Sequence, residues 1–196
     1  MSIAIFGGTF NPPHLGHRRL LEVVTEAVKP DRVFIIPDKI PPHKEASGLV
    51  SGEDRLALCR LAFGDIANVE ISSYELDREG KSYSYYTVSH FKELYPDDDI
   101  YFIMGSDMLL TFDKWYRAEE LMKMCIPLCI SRCADDIERC RSKAKQFRKA
   151  VFVEAAPFEV SSTDIRNIIK NKQDYKLSEL LDEKVISYIK THKLYD

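Results

Sequence analysis

The segment 3–17 constrains the fold of this chain more than any other, because it combines a buried strand, a tight turn and two histidines. Its apolar run Ile3–Phe6 is typical of a strand that is covered on both faces of a parallel sheet. Gly7 and Gly8 allow the backbone to turn where a Cβ atom would clash. The apolar spacing after His14 predicts a helix that begins there. A strand, a turn and a helix in this order indicate an α/β fold, with the turn at the edge of the sheet.

The predicted helix start is a candidate phosphate-binding site. Free N–H groups at a helix N-terminus and the positive end of the helix dipole attract anions, and we expect such groups to face the turn. His14 and His17 are three positions apart on one helix face, so both side chains can reach one ligand. The segment lacks the lysine of a Walker A loop, the glycine spacing of the dinucleotide fingerprint and the histidine spacing of a zinc metalloprotease. It therefore favours phosphate over a metal.

The composition predicts one globular domain. The chain has 196 residues, of which 45% are hydrophobic and 30% charged, and this length suffices for one substantial core. The formal net charge of −3 lacks the basic excess typical of proteins that bind duplex nucleic acid. No apolar run approaches the roughly eighteen residues of a membrane-spanning helix, and Met1 leads into a strand rather than a charged leader. We therefore expect a cytoplasmic protein that binds neither nucleic acid nor a membrane.

The five cysteines favour reduced thiols, because an odd number does not suit a secreted disulfide framework. Four of them follow the pattern C-x3-C-x3-C-x6-C from Cys125 to Cys140. This pattern lacks the C-x2-C pairs that are typical of zinc sites and of ferredoxin-type clusters. We therefore predict no metal centre among the cysteines.

Segments with strand-like and helix-like patterns alternate along the chain. Further strands are predicted at 32–36, 68–76, 99–104, 126–130 and 151–154. Helices are predicted at 51–64, 82–96, 118–124 and 135–149, from 161 onward, and at 177–181 and 185–194. This alternation predicts a Rossmann-like, doubly wound parallel sheet in residues 1–160, followed by C-terminal helices in residues 161–196.

Residues that follow the predicted strands form a second group of candidates, because ligands bind at the carboxyl edge of an open α/β sheet. Lys44 follows the second strand in a proline-rich loop and is a candidate phosphate contact. Gly105 and Asp107 follow the fourth strand, where Asp107 can accept a hydrogen bond from a ribose hydroxyl or cap a helix. The segment Ser161–Arg166 predicts a second anion-binding helix start, with several hydroxyl groups and an arginine.

Aromatic side chains leave two alternatives open. Trp115 and the tyrosines Tyr83, Tyr85 and Tyr86 can pack in the core, which is the commoner place for large rings, or line a pocket for a small aromatic ligand. The sequence pattern alone does not separate the two.

Taken together, the motifs resemble those of bacterial nicotinate-nucleotide adenylyltransferase, a family of the nucleotidyltransferase superfamily with its T/H-x-G-H element. The motifs are G-G-T-F-N-P-P-H-L-G-H at 7–17, P-P-H-K at 41–44, G-S-D at 105–107, Trp115 and S-S-T-D-I-R at 161–166. The resemblance implies a single nucleotidyltransferase domain with a Rossmann-like sheet. It also implies that the protein condenses nicotinate mononucleotide with ATP and Mg²⁺ to give nicotinate adenine dinucleotide and pyrophosphate, a step of NAD biosynthesis.

The resemblance implies a role for each motif residue. Three residues would be catalytic by steadying the charge of the phosphates, namely His14, His17 and Arg166. ATP would contact Gly7, Gly8, Thr9, Phe10, His14, His17, Gly105, Asp107, Ser162, Thr163 and Arg166. The mononucleotide would contact Lys44, Ser84, Tyr86, Thr87 and Trp115. Mg²⁺ would be held largely by the phosphates of ATP and by water, so no protein ligand for the metal is predicted.

The chain departs from the family pattern in one segment. The family's S-Y-T-x-D-T stretch, which helps to recognise the pyridine carboxylate, has Ser84 in place of the first Thr and Tyr86 in place of Asp. Nicotinamide mononucleotide and phosphopantetheine therefore stay open as alternative acceptors, as does a nucleotide-binding protein without catalysis. A tRNA-aminoacylating fragment is disfavoured, because 196 residues leave no room for an anticodon-reading domain. The sequence does not decide between a monomer and a homo-oligomer.

Overall fold

A computed structural model describes residues 1–40, 48–131, 134–154 and 160–196. Its strands are β1 (Ser2–Gly8), β2 (Arg32–Pro37), β3 (Val69–Ile71), β4 (Asp99–Gly105), β5 (Ile126–Ser131) and β6 (Val151–Glu154). They form one six-stranded sheet in the order β3-β2-β1-β4-β5-β6, and every pair of neighbours is parallel. The strand order reverses direction between β1 and β4, which confirms the predicted Rossmann-like, doubly wound fold.

Helices connect the strands and follow the last one. They are α1 (Leu15–Val28), α2 (Gly52–Phe63), α3 (Tyr74–Asp77), α4 (Ser84–Leu94), α5 (Ser106–Leu110), α6 (Ala118–Met124), α7 (Ala134–Ala144), α8 (Ser162–Lys170) and α9 (Glu183–Thr191). Short 3₁₀ helices span Phe112–Lys114 and Asp174–Glu179. None of the helices in the described ranges has both the length and the apolar character needed to cross a membrane.

The sheet is covered on both faces, as the continuous apolar run of β1 predicts. Alternate residues of β1 enter two separate cores, with Ala4 and Phe6 in one and Ile3 and Ile5 in the other. Side chains of α1, α2, α8 and α9 complete the first core, while side chains of α4, α5, α6 and α7 complete the second. The C-terminal helices therefore share a core with the first strand.

Three element boundaries predicted from the sequence were wrong. The strand predicted at 68–76 ends at Ile71. The backbone N–H of Ser72 still donates to the Ile35 carbonyl of β2, but the chain then enters α3, where Glu75 is buried. The helix predicted at 135–149 ends at Ala144, where the chain turns to bury the ring of Phe147. The helix predicted at 177–181 is a 3₁₀ helix over 174–179.

Candidate active site

The glycines that follow β1 and β4 lie close together, at the point where the strand order of the sheet reverses direction. Strands β1 and β4 are parallel neighbours, with Ile5 beside Phe102, so their carboxyl ends meet at one edge. Gly7 and Gly8 end β1, and Gly105 ends β4 and occupies the N-cap position of α5. This is the crevice in which an open α/β sheet binds ligands.

The two predicted histidines lie in contact at the start of α1. His14 is the N-cap residue, and its backbone N–H donates to Nδ1 of His17 over 3.2 Å. The ring centroids of His14 and His17 are 3.7 Å apart, with the planes tilted by 33°. Because Nδ1 of His17 accepts a hydrogen bond, a neutral His17 ring carries its proton on Nε2. Its Nε2–H is thus the donor that the neutral His17 ring offers.

The expectation of free backbone N–H groups at this helix start was only partly right. The N–H of Leu15 donates to the carbonyl of Leu180 over 2.9 Å, and the N–H of His17 donates to the carbonyl of His14 over 2.9 Å. The loop before α9 thus takes up one of the donors that a phosphate would use. Fewer backbone N–H groups than expected are therefore available to an anion at this helix start.

Phe10 supports the histidines from below. Its backbone has a positive φ of 47°, and its ring is buried, with its centroid 5.2 Å from the His17 ring and 5.4 Å from the Phe6 ring. A Cβ atom at Gly8 would lie 3.0 Å from the Phe10 ring, so position 8 has no room for a side chain. The Phe10 ring thus belongs to the protein interior, and the expected contact of this residue with ATP stays a prediction.

Thr9 belongs to a polar network that the sequence analysis missed. Its hydroxyl donates to Asp38 over 2.9 Å, and its carbonyl accepts Nη1 of Arg55 over 3.0 Å. The same Arg55 nitrogen donates to the Asp38 carbonyl over 2.6 Å, and Arg55 is only 2% exposed. The network ties the turn after β1 to the segment after β2. The available signal was an arginine among the apolar residues of α2.

The second predicted helix start is docked onto the first turn. Ser161 caps α8 and donates to Asp164, and this hydrogen bond holds the pKa of the Asp164 carboxyl below its ordinary value. Ser162 donates its hydroxyl to the Pro12 carbonyl over 2.8 Å. Arg166 donates from Nη1 to the Asn11 carbonyl over 2.9 Å. The two motifs are thus joined through the backbone of the turn, although they lie far apart in the sequence.

Arg166 and Thr163 also contact each other, because Nη2 of Arg166 donates to the Thr163 hydroxyl over 3.1 Å. On the other side of the crevice, Asp107 is exposed on the first turn of α5. The N-cap of α5 is Gly105, so Asp107 does not take the capping position that was one alternative for it. The carboxylate of Asp107 is thus exposed at the sheet edge.

A cavity of about 410 Å³ adjoins the turn on the side of β4. Five of the residues predicted from the sequence line it, namely Gly7, Gly8, Ser84, Thr87 and Trp115. Tyr83 and Tyr85, for which a pocket wall was one of two alternatives, also line it, and lining residues that the sequence analysis did not assign to a site include Asp38, Glu75, Lys114 and Tyr116. A Cβ atom at Gly7 would have no neighbour within 4 Å, so this glycine leaves the cavity floor open. Lys44 lies outside the described residues.

Glu75 places a buried carboxyl group in the cavity wall. It is 7% exposed and accepts a hydrogen bond from the Thr87 hydroxyl over 2.5 Å. Burial raises the pKa of Glu75 above its ordinary value, against the opposing effect of hydrogen bonds from Thr87 and Ser82. Glu75 therefore orients Thr87 at the first turns of α4. No pattern in the sequence distinguishes it from an exposed glutamate.

Aromatic rings form the outer wall of the cavity. Trp115 stacks on Phe112 at 5.1 Å between centroids, and Tyr116 stacks on Tyr83 at 4.7 Å. Tyr86 is not among the lining residues of this cavity, and its hydroxyl donates to that of Tyr116 over 3.3 Å. The expected contact of Tyr86 with the base stays a prediction.

Comparisons with known proteins show the family to which the chain belongs. Residues 5–168 match the Cytidylyltransferase-like family. The chain is 38% identical over 193 residues to a Listeria monocytogenes protein named "Probable nicotinate-nucleotide adenylyltransferase", covering 98% of this chain and 96% of that protein. A Clostridium tetani protein of the same name is 35% identical over 197 residues, with 98% of each chain covered. The chain belongs to the nicotinate-nucleotide adenylyltransferase family. This confirms the resemblance drawn from the motifs.

The solved structures include a member of this family with the same fold. The nicotinic acid mononucleotide adenylyltransferase of Plasmodium falciparum, solved in complex with NaAD, superposes with a TM-score of 0.81 at 21% identity. The superposition covers 100% of this chain and 97% of the Plasmodium chain. At this identity the likeness concerns the fold, and it confirms the arrangement of sheet and helices in this nicotinate-nucleotide adenylyltransferase family member.

Proposed function

We propose that this protein transfers the adenylyl group of ATP to nicotinate mononucleotide, forming nicotinate adenine dinucleotide and pyrophosphate in NAD biosynthesis. One observation carries the proposal. The histidine pair and the α8 start lie on one side of the Gly7–Gly8 turn, and an aromatic-walled cavity lies on the other. The turn is therefore the place where the phosphates of ATP and the phosphate of the mononucleotide would meet.

The chemistry needs positioned charge rather than a protein nucleophile. The phosphate of the mononucleotide attacks the α-phosphorus of ATP in line, a new P–O bond forms, and the bond to the pyrophosphate oxygen breaks. In this proposal His14 and His17 donate from their rings to the phosphate oxygens, where negative charge increases in the transition state. Arg166, already oriented by its bonds to Asn11 and Thr163, binds the departing pyrophosphate.

The remaining ATP contacts follow from position. Gly7 and Gly8 allow the nucleotide to approach the backbone closely, while Asp107 accepts hydrogen bonds from the ribose hydroxyls. Ser162 and Thr163 line the pyrophosphate end at the start of α8. In this proposal Mg²⁺ enters with ATP and is held largely by the phosphates and by water. The ion would offset part of the negative charge on the phosphates.

In this proposal the acceptor occupies the aromatic-walled cavity. The pyridine ring stacks against Trp115 and Tyr116, which form the aromatic wall. Its carboxylate faces the N-terminus of α4 at Ser84, where backbone N–H groups and the helix dipole favour an anion. Thr87 lines this end of the cavity with its hydroxyl directed to Glu75. Lys44 binds the mononucleotide phosphate in this proposal, and the reaction takes place in the cytoplasm.

A pyrophosphate-release assay tests the proposal. The protein is given ATP and Mg²⁺ with nicotinate mononucleotide, nicotinamide mononucleotide or phosphopantetheine in separate reactions. We expect the highest kcat/KM with nicotinate mononucleotide, because the α4 N-terminus favours a carboxylate over an amide. A preference for either of the other acceptors would overturn the acceptor assignment. Pyrophosphate release with none of the three would instead indicate a nucleotide-binding protein without catalysis.

A further inference from the structure

Asn11 is a buried junction beneath the phosphate-binding turn. It is 3% exposed, and its side-chain amide bonds to two distant parts of the chain. Nδ2 donates to the Gly48 carbonyl over 2.9 Å, while Oδ1 accepts from the Val50 backbone N–H over 3.2 Å and from the Tyr195 hydroxyl over 3.0 Å. The orientation of the amide is thus set by all three partners.

The same residue holds a charged group of the proposed ATP site. The backbone carbonyl of Asn11 accepts the bond from Nη1 of Arg166, and the carbonyl of the next residue, Pro12, accepts the bond from Ser162. A change in the orientation of Asn11 would therefore move the acceptors that orient α8. On the polar wall of the acceptor cavity, the hydroxyl of Thr87 bonds to Glu75 rather than to Asn11.

The fold brings Tyr195 to this junction through a helix-ending turn. After α9, the N–H of Leu194 donates to the Ile189 carbonyl and the N–H of Lys193 donates to the Lys190 carbonyl, with Lys193 at a φ of 50°. These two bonds define a Schellman motif, in which a left-handed residue reverses the chain. The reversal directs Tyr195 into the core that also contains Phe10. Burial raises the pKa of the Tyr195 hydroxyl far above its ordinary value, so it remains a donor.

We propose that Tyr195 is a positioning residue of the phosphate-binding turn, acting through Asn11 to hold Arg166 and Ser162 in place for ATP. The inference rests on the proposed function for its kinetic consequences and on the hydrogen bonds above for its geometry. It gives the C-terminal helices a role that neither their pattern nor their position in the sequence indicates. Tyr195 itself touches no substrate in this proposal.

The test is the variant Tyr195→Phe, which keeps the buried ring and removes only the donor. Steady-state kinetics are measured for both substrates, at a temperature well below the melting temperature of each variant. We expect kcat/KM for ATP to fall about tenfold, as for the loss of one hydrogen bond to a buried acceptor, while KM for the mononucleotide stays within about twofold. Tyr175→Phe is the control, because Tyr175 is 75% exposed, and we expect it to match the unmodified protein.

A double-mutant cycle separates positioning from a general loss of stability. In an Asn11→Ala background, Tyr195→Phe should have no additional effect on kcat/KM for ATP, because the acceptor of its hydroxyl is already gone. Additive effects, an equal rise in KM for both substrates, or no loss of kcat/KM for ATP would each overturn the proposal.

A binding titration distinguishes failure of this inference from failure of the proposed function. The affinity for a non-hydrolysable ATP analogue is measured for the unmodified protein and for Tyr195→Phe. If the unmodified protein transfers no adenylyl group to any acceptor, the proposed function fails, yet a weaker affinity in the variant would still support positioning by Tyr195. Equal affinities would overturn it whichever reaction the protein catalyses.

Discussion

The two sides of the candidate site are held in place by different forces. The phosphate side, formed by the turn 7–17 and the start of α8, is held by hydrogen bonds from side chains to backbone carbonyls. Arg55, Ser162 and Arg166 donate to the carbonyls of Thr9, Pro12 and Asn11, respectively. The acceptor side, which is the cavity wall from α4 and residues 112–116, is held mainly by packed rings.

Because of this difference, we expect the phosphate side to determine the reaction rate and the acceptor side to determine the affinity for the acceptor. Hydrogen bonds to backbone carbonyls are directional, so the phosphate side offers one arrangement to every acceptor that enters the cavity. Ring contacts are broader in their geometry, so the acceptor side can adapt its shape when a residue changes. Changes on the phosphate side should therefore lower the rate with all acceptors. Changes on the acceptor side should alter the affinity for the mononucleotide.

The largest expected effect is that of His17→Ala on the phosphate side. Removing one preorganised donor from a developing negative charge lowers kcat by about 10²–10³. The fold should survive, because the Phe10 and Phe6 rings beneath His17 remain packed against each other. Pyrophosphate release and the melting temperature are measured together, with His192→Ala as the control. Near-normal pyrophosphate release from His17→Ala would contradict the assigned role.

Arg166→Lys should lower kcat about tenfold or more with every acceptor. A lysine cannot bond to the Asn11 carbonyl and the Thr163 hydroxyl with one planar group, so the orientation of its charge is lost. The ratio of kcat/KM values for nicotinate and nicotinamide mononucleotide should stay unchanged. The exposed Arg60 provides the control variant Arg60→Lys. A change in that ratio would show that the two sides are not separate.

Trp115→Leu should change affinity on the acceptor side alone. Loss of the stacking ring should raise KM for nicotinate mononucleotide about fivefold, with KM for ATP unchanged. Leucine keeps part of the packing against Phe112, so the melting temperature should fall by only a few degrees. The kinetic constants for each substrate are determined at saturation of the other. A larger rise in KM for ATP than for the mononucleotide would contradict the assignment of Trp115 to the acceptor side.

The smallest expected effect is that of Glu75→Gln on the pH dependence of stability. Because burial raises the pKa of Glu75, the native state binds a proton over a pH range in which the unfolded chain has released it. The free energy of unfolding therefore falls as pH rises from about 4.3 through the raised pKa. Glutamine does not titrate, so this fall should disappear, while KM for the mononucleotide changes less than about threefold.

Urea unfolding at a series of pH values checks this prediction. The exposed Glu79 gives a matched control. Glu79→Gln should show the same fall of the unfolding free energy with pH as the unmodified protein. An equally steep fall in Glu75→Gln and in the unmodified protein would mean that the carboxyl of Glu75 does not carry its proton in the native state.

Much of the phosphate side was predictable because its signals are local. A buried strand, two glycines and a helix start are adjacent in the sequence, so their local propensities are sufficient to predict the turn. The capped start of α8 was predictable for the same reason, from Ser161 and Asp164. Boundaries failed where distant packing overrides the local pattern, as at Glu75, whose burial replaces the end of a predicted strand by α3.

By itself, the sequence determined the alternation of strands and helices, the family and the candidate residues for phosphate binding. Only the tertiary structure decided which of them share a site and what holds them there. Arg55 and Tyr195 lie far from the turn in the sequence, and they donate to the Thr9 carbonyl and to the Asn11 side chain, respectively. Asn11 lies in the turn and accepts the hydrogen bond from Arg166 through its backbone carbonyl. The periodicity and spacing of residues in the sequence do not predict such hydrogen bonds, because the partners come together only when the helices pack on the sheet.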